Sequence, residues 1–358
     1  MKNQLFKTRL LSLVLFILSG FLFISNASDK EKTFNVSNGD KLEVSVSNGN
    51  VNLSIWSKDQ AYIKAINIDE DDLNKLKIEQ IGNKVLVEFK GQDSDDFRLE
   101  ISIPAHLNLD VSSGAGNISV NGNISGKVQI STGGGNINLN DVGDKLSVST
   151  GGGNVSVGNI NGESEISTGG GNISIGDIKN KAEISTGGGN ISIGNIGGSG
   201  EVSTAGGNIS VGKISGNAEL STAGGNINLD GASGKVEANT AGGNINLKSI
   251  SGSIEANTAG GNIDAELVPT ANSNSEFNTA SGDINLKIPS DAKVSIEATV
   301  YVGKNMSESE ADKLIKSDFE AANVDFNKNN FIKKFVLNGG GSKIELNTAS
   351  GKIRINKK

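Results

Sequence analysis

One asparagine recurs every eighteen residues through the middle of the chain, at Asn136, Asn154, Asn172, Asn190, Asn208, Asn226, Asn244 and Asn262. A period this short and this regular is the signature of a solenoid, in which each repeat is one coil and stacking buries a shared core. Around each asparagine the same phrase returns, close to ISTGGGNISIGNI, and looser copies flank the array at Asn117, Asp283 and Lys352. With the asparagine as position 1, the coil of Asn172 has Ile173 and Ile175 at positions 2 and 4. Ile178, Ala182, Ile184 and Thr186 fall at positions 7, 11, 13 and 15. Alternation at 2 and 4, and again at 11 and 13, is the two-residue period of strands with one buried face. The glycines at positions 16 to 18 mark a corner.

Side-chain volume supports one common interior. Where position 13 is large (Ile166, Ile184, Val202, Leu220), position 11 is small (Ser164, Ala182, Gly200, Ala218); where 13 shrinks to Ala238 and Ala256, 11 grows to Val236 and Ile254. Close-packed cores require such compensation. The expected fold is therefore all-β, a single-stranded β-helix with about 18 residues per coil. Eleven corners at the inter-strand spacing make a rod of about 50 Å. The corner asparagines should bond from coil to coil as a structural ladder.

The flanks divide the chain further. Lys2, Lys7 and Arg9 precede an apolar run ending at Ser25-Asn26-Ala27, so residues 1–27 are expected to be a cleaved signal peptide. No cysteine is present for lipidation. Residues 28–105 alternate without the eighteen-residue period and form a β-rich N-terminal cap, followed by the array at 106–288. Residues 289–358 hold further strands, a closing coil and one short helix, announced by a Ser307…Glu310 capping box ahead of ADKLIKSDFEAA.

Charge and composition exclude several functions. The net charge of -7 becomes about -10 once Lys2, Lys7 and Arg9 are removed, which argues against nucleic acid and anionic membranes. No membrane span is expected after signal cleavage. His106 is the single histidine and there is no cysteine, so no catalytic site and no enzyme activity are expected. The corners lack the Asp that calcium β-rolls need; no metal and no cofactor are expected.

One outward row stands out: position 12 is Glu165, Glu183, Glu201, Glu219, Glu237 and Glu255 on consecutive coils, continued by Glu276 and Glu345. It is either a solubilising face or a strip for cationic peptides, divalent ions or surface polymers. Position 14 beside it is always Ser or Asn.

The signal segment, the EISIPAHLNLDVSSGAGNISV lead-in, the TGGGNISI and ASGDINL repeats and the terminal GGGSKIELNTASGKIRI together resemble the bacterial "putative adhesin" domain-of-unknown-function family, across essentially the whole exported chain. The resemblance implies a β-solenoid, right-handed, at the cell envelope, and it brings no catalytic residues. The expected function is an exported interaction module that binds a cell-surface or matrix polymer or protein through its polar and acidic ladders. The alternatives are an envelope-stress sensor and a spacer without ligand. Periplasmic, surface-bound and secreted locations all fit an exported chain, and the sequence leaves the oligomeric state open.

Overall fold

The computed structural model describes residues 28–91, 97–303 and 306–358. The segment read as a signal peptide lies outside the described residues. Elsewhere the chain is a β-solenoid built from two long sheets. In the coil of Asn172, Ile173–Ile175 runs in the first sheet, Ile178 makes a single parallel bridge, and Ala182–Thr186 runs in the second. Each residue pairs with its counterpart one period away: Ile173 with Val155 and Ile191, Ala182 with Ser164 and Gly200. The eighteen-residue period is thus the register itself, and a slip of one residue would turn the buried set outward.

Positions 2, 4, 7, 11 and 13 all face one continuous core. The volume trade seen in the sequence also involves position 7. A Cβ built on Gly200 would lie 2.9 Å from Ile196 Cδ1 and 3.2 Å from Ile214 Cδ1, so these two isoleucines occupy the space that Gly200 leaves. Ser164 Oγ, at position 11, is buried and has no hydrogen-bond partner. Removing an unsatisfied buried hydroxyl should be favourable, and Ser164→Ala is expected to stabilise the coil by about 1 kcal/mol. A lowered urea midpoint for that variant would show that the hydroxyl is bound after all.

Threonine at position 15 points inward and pins the corner. Thr186 Oγ1 donates to the Gly171 carbonyl of the preceding coil at 2.8 Å and accepts from Gly189 N–H at 3.3 Å. The same pair of bonds recurs at Thr150, Thr168, Thr204, Thr222, Thr240 and Thr258. A buried hydroxyl here satisfies one corner carbonyl and one corner amide that the sheets leave out.

The ends of the stack depart from chain order. At the N-terminal end, the coil Lys41–Val46 and Asn50–Trp56 lies between the coil Lys84–Phe89 and Arg98–Pro104 and the coil Asn108–Ser113 and Ile118–Asn121. At the C-terminal end, Ser342–Thr348 lies between Ser275–Thr279 and Val294–Tyr301, and Ile353–Lys357 between Ile284–Ile288 and Ile315–Ser317. The coil expected to close the stack is therefore its second-to-last layer. Its regular Asn-Thr-Ala-Ser-Gly corner suits stacking on both sides. The outer end is instead covered by Asn330–Leu337 and Asn323–Phe326, which run antiparallel. Irregular antiparallel strands blunt an edge that would otherwise recruit further coils. Three layers are added to the eleven expected, giving a rod of roughly 60 Å.

Core aromatics cluster at the two ends. Phe89 and Phe97 stack at 4.1 Å near the start, and Phe277, Phe331 and Phe335 are fully buried near the finish. The helix is shorter than its capping box suggests. Glu310 accepts from Ser307 N–H at 3.0 Å, but the α-helix covers only Glu308–Ala311, followed by a 3-10 turn at Asp312–Leu314. Ile315 then enters the first sheet beside Ile353 and is buried there. Burial of a β-branched residue outweighs continuation of a helix with one turn formed.

Candidate functional site

The second sheet turns positions 12 and 14 outward, and its strict register converts sequence spacing into rows. Glu165, Glu183, Glu201, Glu219, Glu237 and Glu255 pair in direct succession. Glu276 and Glu345 extend the row as expected, and Glu297, which the sequence did not single out, completes it. Glu297 lies in an aperiodic strand, and only the exchanged order of the last layers brings it beside Glu345.

Cations neutralise part of this row from position 10. Lys235 bonds Glu237 and lies 3.2 Å from Glu255, and this pair of carboxylates holds its ammonium above the ordinary lysine value. Lys343 does the same with Glu345, and Lys181 approaches Glu183 at 3.9 Å; Lys334, from the antiparallel strand Asn330–Leu337 rather than position 10, lies 3.1 Å from Glu297. Glu201 and Glu219 have Ser199 and Asn217 beside them instead. These two carboxylates make no ion pair within 4 Å and line a shallow depression of about 230 Å³, which Lys181 and Lys235 of the flanking coils also line.

The corner asparagines bond from coil to coil. Asn172 Oδ1 accepts from both Asn190 N–H, at 2.8 Å, and Asn190 Nδ2, at 3.3 Å; Asn136, Asn154, Asn190 and Asn208 repeat the pattern. Asn226 and Asn244 accept the backbone bond from Asn244 and Asn262. The ladder extends through Asn117 to Asn50 at one end and through Asp283 to Lys352 at the other.

A second ladder at position 6 was not read from the sequence. Asn123, Asp141, Asn159, Asp177 and Asn195 each accept the backbone N–H of the next member, ending at Lys213. Asp alternates with Asn along it, so no two carboxylates are adjacent. The alternation of Asp and Asn five residues past the corner asparagine is the available signal.

His106 keeps a buried Nε2 without a hydrogen-bond partner. Among the described residues no three His, Cys, Asp or Glu converge as metal ligands would, and no helix is long and apolar enough to cross a membrane.

No curated protein matches the chain. Among solved structures it is similar to a "putative lipid binding protein" from Parabacteroides distasonis, with 16% identity, 92% of this chain and 98% of that chain covered, and a TM-score of 0.30. A "putative adhesin" from the same species shows 14% identity, 93% and 98% coverage and a TM-score of 0.30. Another from Parabacteroides merdae shows 16% identity, 74% and 94% coverage and a TM-score of 0.27. The family model Toastrack DUF4097 matches residues 183–356, from within the array to the last strand, and so covers less of the chain than the resemblance in the sequence suggested. Residues 183–356 therefore correspond to a Toastrack DUF4097 domain, a β-solenoid domain of unknown function.

Proposed function

We propose that the protein is an exported, non-catalytic interaction module of the cell envelope, which holds cationic segments of a surface or matrix polymer or protein along the acidic row of its second sheet. The observation that carries this reading is the in-register row Glu165 to Glu255, with Glu201 and Glu219, which make no ion pair within 4 Å, at its centre. Like charges directly opposed across strands destabilise a sheet. Solubility alone does not call for that cost, because mixed signs keep a surface soluble. The first sheet carries neutral Ser156, Ser174, Ser192, Ser210, Asn228 and Asn246 at the corresponding outward row. Export is supported by the basic-then-apolar segment at residues 2–24 followed by Ser25-Asn26-Ala27.

The test uses the chain without residues 1–27 and a variant with all six glutamates changed to Gln. The parent should bind a lysine decamer and cell-envelope fractions at low salt, weakening as ionic strength rises, and the variant should lose that binding at least tenfold. Equal binding by both proteins would reduce the row to a surface feature and overturn the reading.

A further inference from the structure

We propose that the C-terminal end of the second sheet carries a separate groove for a neutral saccharide unit, with Tyr301 as its aromatic wall. The array changes character on approaching this end. Position 16 changes from Gly to Ala at Ala205, and position 14 changes from Ser to Asn at Asn239. In otherwise near-identical repeats these two changes affect the same outward surface. They produce a row of exposed methyl groups, Ala241, Ala259, Ala280 and Ala349, beside a row of half-buried amides, Asn239, Asn257, Asn278 and Asn347.

The final layer closes both rows. Val300 pairs with Thr348, so the next residue, Tyr301, stands at the end of the alanine row, where it is 53% exposed. Thr299 pairs with Asn347 and ends the amide row. The result is an open groove of about 760 Å³, lined by Asn257, Glu276, Asn278, Tyr301, Asn347 and the small corner residues, within the range of small-ligand sites.

The hydrogen-bonding inventory selects the ligand. Asn257 Nδ2 donates to Asn239 Oδ1 at 2.9 Å, and Asn347 Nδ2 to Asn278 Oδ1 at 3.0 Å. Asn278 Nδ2 donates both to Asn257 Oδ1 and to Glu276 Oε1, each at 2.9 Å. These bonds fix the amide planes. A side-chain amide has two N–H donors and one acceptor oxygen, so Asn347 retains its Oδ1 and one N–H, and Glu276 retains its second oxygen. Together with the Tyr301 hydroxyl, they place acceptors and donors side by side, as vicinal sugar hydroxyls need, since each hydroxyl both donates and accepts. The Tyr301 ring and the alanine methyls offer apolar contact to a pyranose C–H face. Among the described residues lining the groove there is no Lys or Arg, and Glu276 repels anions, which excludes phosphorylated and uronic ligands.

The inference goes beyond the acidic row, because it concerns a neutral ligand and rests on Tyr301 and the amide row, sharing only Glu276 with the extension of the glutamate row. Neutral tetraoses of glucose, mannose, galactose and N-acetylglucosamine are titrated calorimetrically into the chain lacking residues 1–27. At least one should bind, and Tyr301→Ala and Asn347→Ala should each weaken it tenfold or more. Val336→Ser, a change at an exposed site away from the groove, should leave it unchanged. Circular dichroism verifies that the variants are folded. No heat with any tetraose, or equal affinity in Tyr301→Ala, would overturn the proposal. So would a lysine decamer whose binding depends on Tyr301 while no sugar binds.

Discussion

Gly189→Ala is expected to destabilise the solenoid by about 4 kcal/mol or more, although it adds a single methyl group at a corner. Gly189 is buried at position 18, and a Cβ there would lie 2.0 Å from the Gly171 carbonyl oxygen and 2.7 Å from Asn172 N. Both obstacles are backbone atoms, so no side chain can rotate away, and the two coils must separate locally. Separation stretches the bond from Asn190 N–H to Asn172 Oδ1 at 2.8 Å and the one from Thr186 Oγ1 to the Gly171 carbonyl at 2.8 Å. The same approach recurs at Gly153, Gly171, Gly207, Gly225 and Gly243, so relief cannot be passed to the next layer. The middle glycine is the internal control. A Cβ on Gly188 has only the Gly170 carbonyl oxygen within reach, at 3.9 Å, and Gly188→Ala should change the urea midpoint little. Equal midpoints for the two variants would mean that the corner is looser than its stacking distances indicate.

This contrast also marks what the eighteen-residue phrase makes legible. Period, register, the buried set and the corner-asparagine ladder all follow from spacing, because a parallel stack places like residues on like residues. The row of Glu165 to Glu255 follows for the same reason. Thr186 and its counterparts stand out in sequence as constant, but constancy does not reveal a hydroxyl turned inward between a carbonyl and an amide. Where the period ends, prediction ends with it. Nothing local to Ser342–Thr348 states that it precedes Val294–Tyr301 in space, and that exchange decides the positions of Glu297 and Tyr301. The helix after Ser307 ends at Ala311 although its capping box is intact, because capping sets where a helix starts, whereas the burial of Ile315 decides where it stops.

The exchanged order makes the C-terminal coil an interior layer, and its deletion should have a correspondingly large effect. In a solenoid stacked in chain order, removing the last repeat shortens the rod and leaves the remainder intact. Here, removing residues 338–358 takes away the layer between two others. It uncovers Phe277, Ile284 and Leu286 on one side and Val294, Ile296 and Ile315 on the other. Four fully buried side chains go with it, Ile344, Leu346, Ile353 and Ile355, each contributing roughly 2 kcal/mol by burial. Their sum is comparable to the whole stability of an ordinary domain. Also lost are the bond from Ser342 Oγ to the Thr270 carbonyl at 2.8 Å and the contact of Arg354 with Asp283 at 2.9 Å. Amide hydrogen exchange should therefore show protection lost from Val294 through Leu337, while the coils between Asn136 and Asn244 keep theirs, since each contacts only its neighbours. The unpaired edge at Ser275–Thr279 should make the truncated chain self-associate. A synthetic peptide of residues 338–358, added in excess, should restore protection and return the protein to its original size. If Val294–Leu337 stays protected without the peptide, the outer strands dock directly on Ser275–Thr279, and the inserted coil is dispensable to the end of the stack.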